Sequence, residues 1–199
     1  MIKKSLLILW LCLLLSGVLT LFWYNDWVYQ LPTPIPENYK SIPIGQVISL
    51  NEYCETDAAK PIFMHFFNPD CPCSRFNMKH FQSLVRQYGQ QVNFVVVVMS
   101  KRPFTARAIQ DKFDVNIPVL FDTTLASLCG VYSTPQAVLL NTEQQLYYRG
   151  NYNINRYCTD EKTSYAKIAL NGMLRKDSGV LFDPVSLKPY GCSLPYCKN

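Results

Sequence analysis

Two cysteines separated by one proline, Cys71-Pro72-Cys73, lie in the stretch FFNPDCPCSR, immediately after the apolar run IFMHFF (Ile62–Phe67). Three chemistries use such a pair: a redox couple, a soft-metal clip, or a structural staple. The surrounding residues narrow the choice. The apolar run predicts a buried strand, and Phe81, Leu84, Val85 and Tyr88 recur at i, i+3, i+4, i+7, which predicts a helix from about Pro72 to Tyr88. The cysteines then sit where a strand gives way to a helix, at the strand's C-terminal end, where open α/β sheets carry reactive groups.

Proline is favoured at the first helical position, because its missing N–H is unpaired there anyway. Cys71 is thereby assigned to the N-cap, Pro72 to N1 and Cys73 to N2. A thiolate at the cap faces free backbone N–H groups and the positive end of the helix dipole, which makes it a nucleophile near neutral pH. Arg75 in the same turn adds positive charge. From the cap position the Cys71 side chain swings within disulfide range of Cys73. The ring so closed is small and strained, which predicts a comparatively oxidising couple.

The elements that must position this pair follow the same two periods. VNFVVVVM (92–99) reads as a central strand covered on both faces. A polar helix is expected over 104–113, a strand at IPVLFD, and a short helix at TTLASLCG ended by Gly130. A hairpin of QAVLLN and QLYYRG follows, and a last helix over 163–175. The order β-α-β-α-β-α-β-β-α implies a mixed sheet with helices on both faces, an α/β fold. The tail from Asp177 is turn-rich and expected to be irregular.

The N-terminus carries no charge from Ser5 to Tyr24, enough helix at ~1.5 Å per residue to span ~30 Å of hydrocarbon. Lys3 and Lys4 precede this run and Asp26 follows it, so the positive-inside rule puts the remainder across the membrane. Trp23, Tyr24 and Trp27 fit the interfacial belt on the far side. No Ala-x-Ala-like site follows, and an uncleaved anchor is preferred to a signal peptide. The expected organisation is an anchor at 1–27, a Pro-rich linker at 28–45, the α/β domain at 46–178 and a tail at 179–199. The net charge of +5 owes two of its units to Lys3 and Lys4, so nothing favours a nucleic-acid partner. Eight cysteines suit an oxidising compartment. Cys192 and Cys197 are expected to form a local structural disulfide, and Cys54 and Cys158 are a second candidate pair, with a place for Cys158 near the active site left open. Cys129 reads as a buried thiol.

KPIFMHFFNPDCPC resembles the strand and active-site turn of the thioredoxin superfamily, and LCGVYSTPQAVLL resembles its segment in which a Thr-Pro dipeptide precedes a strand. The later EQQLYYRGNY and SYAKIAL extend the resemblance over about 60–175. They point to the membrane-anchored redoxin and thiol-disulfide oxidoreductase branch (AhpC/TSA- and TlpA-like). The resemblance implies a thioredoxin-like fold behind one transmembrane helix, with a cis Pro135 beside the cysteines and a Thr134 main chain that pairs with the partner. Cys71 and Cys73 would be catalytic, and Thr134, Pro135, Pro72 and Arg75 would form the substrate-binding surroundings. No cofactor is implied. The partners would be protein thiols or disulfides and an upstream dithiol donor, met on the periplasmic side of an inner membrane. The chain departs from the family in having one residue between its cysteines and in placing His65 where a buried acid often stands, six residues before the first cysteine. That histidine is either a proton relay with a pKa near neutrality or a core-edge residue bonded to backbone.

Two other activities occur on similar scaffolds. A Cu(I) carrier would use Cys71 and Cys73 with a distant histidine, but His65 and His80 are the only histidines and both lie near the first strand and helix. A peroxidase of the peroxiredoxin type needs a hydroxyl three residues before its nucleophile, where this chain has Asn68. Thiol-disulfide exchange is the reading the residues favour.

Overall fold

The computed structural model describes residues 2–50, 53, 56–177 and 181–194. A long apolar helix, α1 (Ile2–Asn25), is followed by a single 3-10 turn at Trp27–Tyr29, and the first strand begins at Ile62. Of the described residues, 3–29 form the one helical stretch long and apolar enough to cross a membrane.

The sheet is built around β1 (Ile62–Phe67), every residue of which is buried. Parallel β2 (Asn93–Val98) and then β3 (Val119–Leu120) lie on one side of it. Antiparallel β5 (Gln136–Leu140) and then β6 (Leu146–Gly150) lie on the other. A separate two-residue strand, β4 (Ser133–Thr134), runs into β5 through a cis Thr134-Pro135 bond and pairs with β7 (Cys192–Ser193) from the tail. Helices α2 (Pro72–Tyr88), α3 (Ala106–Phe113), α4 (Thr124–Cys129) and α5 (Tyr165–Leu174) complete a thioredoxin-like α/β fold.

Side chains alternate across a strand, so β1 feeds two cores. Phe63 and Phe67 join Phe81 and Leu84 of α2, Val96 and Val98 of β2, and Ala166 and Leu170 of α5. Ile62, Met64 and Phe66 join Val95 and Val97, Leu125 and Cys129 of α4, and Ile48 and Leu50 ahead of the sheet. The valine run of β2 is apolar at both parities because it is covered on both faces.

Three expectations are revised. The third strand shrinks to Val119–Leu120 because it lies at the sheet edge, with Phe121 exposed and Pro118 offering only its carbonyl, to Val96 N at 2.9 Å. The polar helix begins at Ala106, where the Thr105 hydroxyl accepts from Ala108 N and satisfies an otherwise unpaired first-turn donor. The tail is not irregular throughout. Asn151 donates its amide to the Val185 and Lys188 carbonyls, and the Tyr190 hydroxyl donates to Asn153 O, which delivers Cys192–Ser193 to β4 as a strand.

Phe81 holds α2 against the sheet. It is fully buried, with its ring centroid 4.3 Å from that of His65 and 6.0 Å from that of Phe63. Phe81→Ala is expected to cost about 3–5 kcal/mol, the usual range for a buried aromatic truncation, as read by denaturant unfolding of the full chain in detergent micelles.

Candidate active site

After β1 the chain turns sharply. The Asn68 side chain accepts from Asp70 N at 2.9 Å, and its carbonyl accepts from Cys71 N at 3.0 Å. Such an Asx turn sets the direction of the next element. Cys71 then caps α2 in an extended conformation, with Pro72 at the helix start, and its carbonyl accepts from Arg75 N at 3.2 Å. The junction is the one read from the sequence.

The state of the thiols is not. Cys71 is bonded to Cys192, 121 residues away, with a Cα–Cα distance of 6.1 Å. This corrects two expectations. Cys192 does not close a local loop with Cys197, which lies outside the described residues. Nor is Cys71 an exposed cap thiol: the tail strand covers it to 2% exposure. The physical reason is that β4 lies outside the five-stranded sheet and takes the tail as its pairing partner. Thr134 pairs with Cys192 and Ser133 with Ser193, and the Thr134 carbonyl oxygen lies 3.6 Å from Cys71 Sγ. The segment after α1 adds a third layer. Thr33 N donates to Pro189 O at 2.8 Å and the Thr33 and Ser133 hydroxyls are 2.7 Å apart, both buried.

Cys73, in the first turn of α2, is a fully buried free thiol. Burial pushes its pKa up, and the nearby Arg156 guanidinium pulls it down without cancelling the effect. Arg156 is 5% exposed. Its Nη2 donates to Asp26 Oδ1 at 2.7 Å and to the Tyr157 hydroxyl at 2.8 Å, while its guanidinium lies over the rings of Tyr29, Phe76 and Tyr157. Cys158 is a free thiol that accepts from Asn77 Nδ2 at 3.1 Å, and burial lifts its pKa to about 12. Its candidate partner Cys54 lies outside the described residues. Arg156 Nε and Asn77 Oδ1 are buried with no hydrogen-bond partner among the described residues. Arg75 points from the exposed face of α2 and takes no described part in this cluster. Cys129, at the end of α4, is fully buried with its pKa lifted to about 12.

His65 is corrected as well. Its neighbours are the rings of Phe67, Phe81 and Tyr152; Nδ1 is 2.7 Å from the Tyr152 hydroxyl, and Nε2 has no described partner. Burial lowers its pKa from 6.5 to about 3, not to near neutrality, and no described hydrogen bond links it to a cysteine. The ring is a neutral core residue. Arg156 and the Cys71–Cys192 link are the site features the sequence did not disclose. Arg156 sits in a loop without periodicity, and long-range cysteine pairing cannot be deduced from spacing.

A family model described as a domain of unknown function, DUF6436, matches residues 45–198. The chain belongs to this family. It is also similar to the thiol-disulfide oxidoreductase ResA of Halalkalibacterium halodurans, 24% identical over 105 residues, which are 51% of this chain and 57% of that protein. The match thus spans little more than half of that relative's length. Among solved structures, a hypothetical protein from Sinorhizobium meliloti superposes with a TM-score of 0.63 at 17% identity, over 78% of this chain and 96% of its own. An uncharacterized conserved protein from Geobacillus kaustophilus gives 0.62 at 17% identity, over 82% and 97%. These likenesses establish the fold.

The buried neutral His65 generates a pH dependence of stability. Between its folded pKa of about 3 and its unfolded 6.5, the unfolded chain binds one more proton than the folded one, so acid destabilises. Each pH unit below 6.5 is expected to cost about 1.4 kcal/mol from this group. His65→Gln keeps a partner for Tyr152 and is expected to flatten the slope by one proton. Denaturant unfolding at pH 7, 6 and 5 measures it, and an unchanged slope would contradict the assignment.

Proposed function

We propose that this protein is a membrane-anchored thiol-disulfide oxidoreductase acting outside the cytoplasm, with Cys71 as the nucleophile that exchanges with protein or small-thiol partners. The observation that carries the reading is the disulfide of Cys71 at a helix N-cap beside cis-Pro135, its partner cysteine lying on a strand paired with Thr134. A cap cysteine has the backbone donors and dipole that stabilise a thiolate, and the β4 edge next to it, which takes β7 as a paired strand, is a docking surface for an extended chain. The similarity to ResA of Halalkalibacterium halodurans supports the same chemistry.

In this reading a partner strand docks on Thr134, Cys71 forms a mixed disulfide with it, and Cys73 attacks Cys71 Sγ to release the partner reduced. Arg156 is the positioning charge for the Cys73 thiolate that this step needs. Helix α1, with Lys3 and Lys4 in its first turn and Asp26 just after it, would hold the domain on the far side of the membrane. Direction follows from the poise of the compartment and the upstream dithiol donor, not from the site residues.

Cys71→Ser is expected to lower the rate of exchange between the full chain in detergent micelles and a glutathionylated peptide by at least about 100-fold, as expected for loss of the attacking thiolate. A loss below about threefold would overturn the assignment. Tight stoichiometric Cu(I) binding by the reduced wild type, without exchange, would favour a metal carrier instead.

A further inference from the structure

We propose that Cys192 is a third redox cysteine, carried on a short C-terminal arm that docks on the Thr134 edge in place of a partner chain and takes over the disulfide from Cys71 and Cys73. The proposal rests on the exchange reading above and assigns this site its own tethered, partner-like segment.

Three observations converge on the arm. Its backbone repeats the antiparallel pairing by which an added strand extends a sheet edge, with Cys192 opposite Thr134 and Leu194 N donating to Tyr132 O at 3.3 Å. Its sulfur is joined to the cap cysteine, the atom a partner must reach. Its approach is close: Gly191 has φ of 121°, and a Cβ there would overlap the Thr134 carbonyl. Glycine is needed at this position for both conformation and space.

The chain on either side differs in how it is held. Tyr190 is buried and fixed through the Asn151 and Asn153 hydrogen bonds, so it stays in place when the arm leaves. Gly191 is the pivot, and among the described tail residues only 191–194 have to swing. Partner and arm need the same edge and therefore exclude one another. While a partner occupies Thr134, Cys192 is displaced and Cys73 resolves the mixed disulfide.

Once the partner has gone, the arm returns. The Cys192 thiolate attacks Cys71 Sγ, the Cys71–Cys192 bond forms as the Cys71–Cys73 bond breaks, and Cys73 leaves as a thiolate. Cys192 has given up one proton and Cys73 takes one, so no electrons enter or leave. Cys73 returns to its buried thiol form, and the oxidised protein is closed to protein partners. An external dithiol reopens it through the Cys192 sulfur. Cys192 is half-buried, whereas Cys71 is buried. The arm also describes its competitor: an extended segment with glycine directly before its cysteine.

The test uses the full chain in detergent micelles and a glutathionylated Tyr-Gly-Cys-Ser-Leu peptide. Non-reducing peptide mapping of the oxidised wild type should give the Cys71–Cys192 link, and Cys192→Ser should move it to Cys71–Cys73. Gly191→Ala keeps the thiol but removes the fit. It should shift the mapped link towards Cys71–Cys73 and raise the exchange rate of the reduced protein about tenfold, by removing a tethered competitor of millimolar effective concentration. A wild type that maps to Cys71–Cys73 with Cys192 freely alkylated overturns the proposal, as does a Gly191→Ala rate within twofold of wild type with the link unchanged. If Cys71→Ser abolishes exchange in the same assay, those failures fall on the arm alone. If Cys71→Ser leaves exchange intact, the exchange reading itself fails.

Discussion

The pairing of Thr134 with Cys192 is the contact on which the arrangement of both ends of the chain depends. The Thr134 carbonyl faces Cys71, and backbone beside a buried sulfur has to be paired. The tail supplies one layer and the segment around Thr33 supplies the next, so elements from residues 33, 133 and 190 meet at one edge. The five-stranded sheet beneath would stand without them. The covered state of Cys71 would not.

Much of this molecule was legible from its residues because burial leaves a periodic trace. The apolar run of β1 and the spacing of Phe81, Leu84 and Tyr88 located the strand, the helix and the cap between them, and Pro72 fixed which cysteine stands at the cap. His65 was legible in part. Its place in β1 puts it on the same face as Phe63 and Phe67, which is the face that α2 and α5 cover, and the alternation alone argues for a core residue. Cys192 was not legible, because its nearest cysteine in sequence, Cys197, is a plausible partner and its actual partner is 121 residues away. The one local sign was Gly191, whose requirement is visible only when Thr134 is opposite it.

The two cysteines of the Cys-Pro-Cys stretch live in unlike surroundings despite being two residues apart. Cys71 lies at a helix terminus beneath a strand that packs against it from outside. Cys73 lies inside, near one guanidinium and one further thiol, where burial favours the neutral form. A single proline between them suffices because the first cysteine belongs to the turn and the second to the helix.

Arg156 carries a practical consequence for where this domain begins. The family match starts at residue 45, yet the carboxylate that pairs with Arg156 belongs to Asp26, and the ring of Tyr29 lies against the same guanidinium. A fragment cut at the family boundary would keep the whole sheet and lose the counter-ion of a 5%-exposed charge next to Cys73. It would also lose Thr33, the outer support of the tail strand. The reactivity of Cys73 in such a fragment would describe the cut and not the protein. By its contacts, the smallest faithful unit reaches back to the end of α1.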